Sequence, residues 1–129
     1  MNGDILIVEN ESDIADVMRR YLEFEGFRIT CAATCDDARA VWAQRLPDLI
    51  VLDWHLPDAD SDELAIELRA GAATAHIPII MMTGGYPTPT LSAQLAAARI
   101  PLLIKPFSLD QLARQIRRMI EQERGIGVT

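Results

Sequence analysis

The chain has 129 residues, enough for one ordinary domain, and half of them are hydrophobic, so a sizeable core can form. Its formal charge of -7 argues against direct contact with nucleic acid, which relies on clustered Lys and Arg against the phosphate backbone. No apolar run approaches the roughly 20 residues of a membrane helix and the N-terminus lacks the basic flank of a secretory signal, so the expectation is a soluble cytoplasmic chain without membrane contact.

The first apolar run, ILIV (Ile5 to Val8), is short, uninterrupted and partly β-branched, as a strand covered on both faces should be. Ile14, Val17, Met18, Tyr21 and Leu22 follow at i, i+3, i+4, i+7 and i+8, which predicts a one-sided helix. FRITCA (Phe27 to Ala32) mixes polar and apolar residues and predicts an edge strand, after which Thr34 can cap a second helix. LIVL (Leu49 to Leu52) gives the third strand, and Asp60 with Glu63 resembles the capping start of the third helix.

IIMM (Ile79 to Met82) is the fourth strand, with Met81 and Met82 expected to fill core space. GGYPTPT (84–90) reads as a mobile loop rather than a phosphate cradle, because its prolines lack amide donors and no lysine follows. The fourth helix, near Leu91 to Ala98, has the weakest pattern. LLI (Leu102 to Ile104) is the fifth strand, and Ser108 with Gln111 opens a last helix carrying Leu109, Leu112, Ile116, Met119 and Ile120 on one side. The tail RGIGVT is short and expected to be loose.

Five strand-then-helix units predict an α/β domain with a parallel sheet, helices on both faces and right-handed crossovers. The expected extent is one domain over 1–129, with a core of about 4–122. Cys31 and Cys35 have no second pair with which to make a zinc site and read as unpaired thiols. His55 and His76 are isolated and read as surface or loop residues.

In a sheet of this kind ligands gather beyond the carboxyl ends of the strands. The residues that end the apolar runs are Glu9 and Asn10, Asp53, Thr83 and Lys105. Any one of them has an ordinary explanation as a helix start, a turn residue or a solvated charge. As a set, two acids, an amide, a hydroxyl and an amine converge on one edge. Such oxygen ligands suit Mg2+, a carboxylate beside the metal can attack a phosphoryl group, and the hydroxyl and ammonium can bind its oxygens.

Over nearly its whole length the chain resembles the receiver domains of two-component response regulators, the CheY-like family. The resemblance is carried by ILIVENE, PDLIVLDWHLPD, IPIIMMTGG and LLIKPFSLDQL, the last three in a specific order and spacing. It implies a doubly wound, flavodoxin-like (βα)5 fold with strand order 2-1-3-4-5. By matching position, Asp53 would be the phosphoacceptor, and Thr83 and Lys105 would bind the phosphoryl group. Glu9, Asp53 and the main-chain carbonyl of His55 would hold Mg2+, with Asn10 acting through water. Gly84 would keep the approach open, and the Lys105-Pro106 bond would be cis.

Three residues depart from the family pattern. Asn10 stands where a second acid is usual, Leu102 where an aromatic switch residue is usual, and Ser61 where glycine is common after the phosphoacceptor loop. The first bears on metal affinity and the second on conformational readout, while the third is expected to affect only a loop. Trp54 is expected over the pocket or on a kinase-facing surface.

The resulting reading is a stand-alone phosphoryl-accepting signalling module, not an enzyme. Its expected partners are a sensor histidine kinase or histidine phosphotransfer protein, then a downstream protein or a second receiver subunit in a homodimer. The alternative is a degenerate receiver that acts as a phosphorylation-independent interaction module. An aspartyl phosphatase of the haloacid dehalogenase type would want an aspartate where His55 stands, and a flavodoxin would want a hydroxyl-rich loop where ENES stands.

Overall fold

The computed structural model describes residues 3–57, 61–105 and 107–123. In chain order these form β1 (Asp4–Val8), α1 (Ser12–Phe24), β2 (Arg28–Ala32), α2 (Cys35–Gln44) and β3 (Leu49–Asp53). They continue as α3 (Ser61–Ala70), β4 (Ile79–Thr83), α4 (Pro89–Ala97), β5 (Leu102–Ile104) and α5 (Leu109–Glu123). The strands make one parallel sheet in the order β2-β1-β3-β4-β5, so FRITCA does lie on an edge.

Period-two alternation along the inner strands divides the core between the two faces. Leu6, Val8, Ile50 and Leu52 pack with Leu64, Leu68 and Leu95 of α3 and α4. Ile5, Ile7, Leu49 and Val51 pack with Met18 and Leu22 of α1 and with Leu112 and Ile116 of α5. Met81 and Met82 divide between these layers, as core-filling residues should. Val17 departs from the expected helical stripe: it is exposed, because the buried face of α1 centres on Ala15, Met18 and Leu22.

Helix ends follow local chemistry. The Thr34 hydroxyl accepts the Asp37 N–H at 3.0 Å, and the Ser108 hydroxyl accepts that of Gln111 at 2.9 Å. The fourth helix starts earlier than its apolar pattern suggests, and takes Pro89 and Thr90 out of the expected loop. Thr88 caps it by accepting the Leu91 N–H at 3.1 Å, and Pro89 occupies the first turn, where its missing N–H costs nothing. Asp60, Pro106 and 124–129 lie outside the described residues, so the Asp60 cap, the cis bond and the tail do too.

α1 ends with Gly26 at φ 102°, its N–H bonded to the Glu23 carbonyl and that of Phe27 to the Leu22 carbonyl. α4 ends with the same pair of bonds, but Arg99 at φ 60° stands where glycine is usually found. The half-buried guanidinium of Arg69 braces that end. It donates to the carbonyls of Ala98 at 2.9 Å, Ala75 at 3.2 Å and Ile77 at 2.7 Å.

Candidate functional site

The strands extend slightly beyond their apolar runs, because backbone pairing continues where the side chains turn polar. Asp53 is the last residue of β3 and pairs in register with Met82, and Thr83 ends β4 opposite Ile104. Glu9 directly follows β1, and its N–H reaches the Ala32 carbonyl of β2 at 2.9 Å. Lys105 directly follows β5, its N–H held by the Thr83 carbonyl at 2.7 Å. Parallel strands thus bring four of the expected residues to one edge.

Three of their side chains meet. The Lys105 Nζ lies 3.3 Å from Glu9 Oε1 and 3.6 Å from Asp53 Oδ1. Both carboxylates are buried. Burial pushes the Glu9 carboxyl above its ordinary range, and its hydrogen bond to Asp53 and the Asp53 charge push the same way. The Glu11 N–H, 3.2 Å from Glu9 Oε2, and the Lys105 charge pull it back.

The Asp53 carboxylate also faces its own chain, with Oδ1 3.4 Å from the His55 N–H. Thr83 is half-buried and its hydroxyl oxygen lies 3.4 Å from the Gly85 N–H. A Cβ built on Gly84 would meet nothing within 4 Å, so the approach over this loop is open. Asn10 is exposed beside Glu9, and His55 and His76 are exposed as expected. Trp54 lies half-buried against the α2–α4 side of the core, with its ring edge-on to His55 at 6.4 Å between centroids. Leu102 packs half-buried against the same side of the core.

Ser61 requires a correction. It is not a loop residue but the first residue of α3, and it is completely buried. Its hydroxyl donates to the main-chain carbonyl of Asp53. A buried serine bonded to a backbone oxygen eight residues away leaves no periodicity or motif in the sequence, and its departure from the family glycine is the one signal at the position.

The response regulator receiver domain model matches residues 5–117. The chain belongs to the response regulator receiver family. It is 34% identical over 118 residues to the phosphate regulon transcriptional regulatory protein PhoB of Rhizobium meliloti, covering 92% of this chain and 52% of that protein. Against the KDP operon transcriptional regulatory protein KdpE of Escherichia coli, identity is 35% over 114 residues, covering 88% of this chain and 49% of the relative. The receiver therefore spans about half the length of these curated relatives. Its fold is similar to a CheY-like response regulator receiver domain protein from Methanospirillum hungatei, with TM-score 0.87 and 26% identity over 97% of this chain and 98% of that one.

Receivers are signalling modules whose general role is phosphorylation-dependent, and they interact with histidine kinases and downstream effectors. Receivers generally bind Mg2+ at the acidic pocket. The donor set here fits a hard cation: two buried carboxyl groups offer oxygen donors beside one ammonium. Among the described residues no group of three or more His, Cys, Asp or Glu side chains is placed to hold a metal ion by itself. Among the described residues, too, no helix is long and apolar enough to cross a membrane.

Proposed function

We propose that Asp53 is the phosphoacceptor of this receiver, taking its phosphoryl group from a phosphohistidine of a sensor kinase or phosphotransfer protein. The observation that carries this reading is the buried Glu9 and Asp53 pair facing the Lys105 ammonium at the carboxyl edge of the sheet. An Asp53 carboxylate oxygen forms a bond to phosphorus as the phosphorus–nitrogen bond breaks, and the imidazole nitrogen leaves with the electron pair. The product is an acyl phosphate. Lys105, already beside Asp53, pairs with one phosphoryl oxygen, and the Thr83 hydroxyl donates to another.

Glu9, Asp53, the main-chain carbonyl of His55 and, through water, Asn10 would hold Mg2+, which when bound supplies positive charge to the phosphoryl oxygens. The whole span from 4 to 122 acts as one receiver domain in this reading, and Asp53 carries the phosphoryl group on rather than turning over a substrate. The signal passes to a protein partner or a second receiver. With a net charge of -7 the segment has no basis for holding nucleic acid itself. A kinase that draws its phosphoryl group from ATP works in the cytoplasm, and the receiver belongs in the same compartment.

The test is incubation with a small phosphodonor and Mg2+, followed by intact mass. Wild type gains one labile phosphoryl group, and Asp53→Asn gains none. Equal labelling of the two proteins removes Asp53 from the role. A wild type that stays unlabelled with Mg2+ present leaves the phosphorylation-independent interaction module instead.

A further inference from the structure

The peptide that joins Asp53 to Trp54 is held at both of its polar ends. Its N–H, on Trp54, donates to the Met82 carbonyl of β4 at 2.8 Å. Its carbonyl, on Asp53, lies one residue past the β1–β3 ladder, which ends at the Val8 and Leu52 pair. There it accepts the Ser61 hydroxyl. The Ser61 N–H adds a second tie, to the Trp54 carbonyl at 3.4 Å.

Helix capping does not account for this arrangement. A capping hydroxyl accepts an N–H from the first turn of its own helix, whereas a carbonyl can only accept, so the Ser61 hydroxyl spends its proton on the strand. With no exposed surface, Ser61 makes this bond away from solvent. A buried carbonyl stripped of its donor is unsatisfied unless the chain shifts or water enters. Either response alters the backbone torsion that aims the Asp53 carboxylate, and moves the His55 backbone whose N–H faces Asp53 Oδ1 at 3.4 Å.

We propose that Ser61 is a positioning residue for phosphoryl transfer, its buried hydroxyl fixing the Asp53–Trp54 peptide and so the direction in which the Asp53 carboxylate points. The inference rests on Asp53 being the phosphoacceptor. Misplacing an attacking group by an ångström or less costs rate rather than encounter, so the loss falls on the transfer step and not on donor binding.

The experiment measures phosphorylation of the full chain by a small phosphodonor at saturating Mg2+, well below the melting temperature of every variant. For Ser61→Ala and Ser61→Cys the maximal rate falls about tenfold or more, while the half-saturating donor concentration stays within about twofold of wild type. The control is Ile120→Val or Ile120→Ala, whichever matches the loss of Tm. Ile120 packs beside Gly3 at the opposite end of the sheet, and its variant keeps the wild-type rate. Ser61→Cys, close to serine in size but a weak donor, covers the case in which Ser61→Ala does not fold. A folded Ser61 variant with the wild-type rate overturns the proposal, as does a control that loses rate equally. Labelling of Asp53→Asn to the wild-type extent overturns the phosphoacceptor reading instead, and is scored separately.

Discussion

The two ends of the sheet carry small charge clusters built from the same materials, with opposite consequences. At the amino end the Asp4 carboxylate holds Arg28 at 2.8 Å and Arg45 at 2.7 Å, and both arginine side chains are largely in water, 74% and 66% exposed. At the carboxyl end the Lys105 ammonium faces Glu9, whose side chain has no exposed surface, and Asp53, with 6%. One acid between two solvated cations is an ordinary surface arrangement. Two buried acids around one cation interact where water screens them little. Distance does not separate the clusters, since the amino-end pairs are the shorter. Burial does, because the same charge at about 4 Å is worth about 1 kcal/mol in water and up to roughly 4 kcal/mol at an effective dielectric near 20.

Breaking the buried cluster should have the largest effect. Lys105→Met removes the ammonium proposed to pair with the phosphoryl oxygens, and phosphorylation by a small donor should slow by about tenfold or more. The same change leaves two carboxylates without their counter-charge, so the Mg2+ midpoint should move to lower concentration. A variant that phosphorylates at the wild-type rate would remove Lys105 from the transfer step, and an unmoved midpoint would show that it does not compete with the metal.

Sharpening the cluster gives the next effect. Asn10→Asp restores an acid beside Glu9 and should tighten Mg2+ binding several-fold, within the roughly 4 kcal/mol ceiling of a unit charge at about 4 Å. Asn10 is exposed, so the gain should shrink as ionic strength rises. Trp54 fluorescence after Trp42→Phe can follow the titration, since Trp54 adjoins Asp53. A midpoint that stays put or weakens places Asn10 outside the metal's effective reach.

The smallest effect belongs to the solvated cluster. Asp4→Asn should change stability by under about 1 kcal/mol, as expected of exposed pairs, and leave phosphorylation unchanged. Thermal unfolding and the phosphodonor assay together check this. Impaired phosphorylation in Asp4→Asn would mean that the two ends are coupled through the sheet.

The contrast between the two ends was partly legible in the sequence. Strands covered on both faces leave uninterrupted apolar runs, so the sheet could be read directly and the acids, hydroxyl and lysine that end those runs could be placed together. Strand order came only with the family resemblance, because periodicity says which face is buried and not which strand is the neighbour. Strand ends were missed by a residue at Asp4, Asp53 and Thr83, since main-chain hydrogen bonding is indifferent to side-chain polarity. Thr88 and Pro89 carried a readable helix start within a stretch that otherwise resembled a loop. Ser61 and Arg69 were out of reach of pattern reasoning, since both bond main-chain carbonyls that no side-chain motif advertises.

β3 is the middle strand, paired on both sides, and every one of its residues is buried. Its amides should therefore exchange with deuterium only when the whole domain opens, at the slow limit set by global stability. α4 buries a single residue, Leu95, and its amides should exchange through local opening long before. Asp53 thus ends a fully buried strand, while the helix that follows the neighbouring strand buries only Leu95; in the proposed role, a mark written on the first could be read at the second without unfolding the strand that carries it.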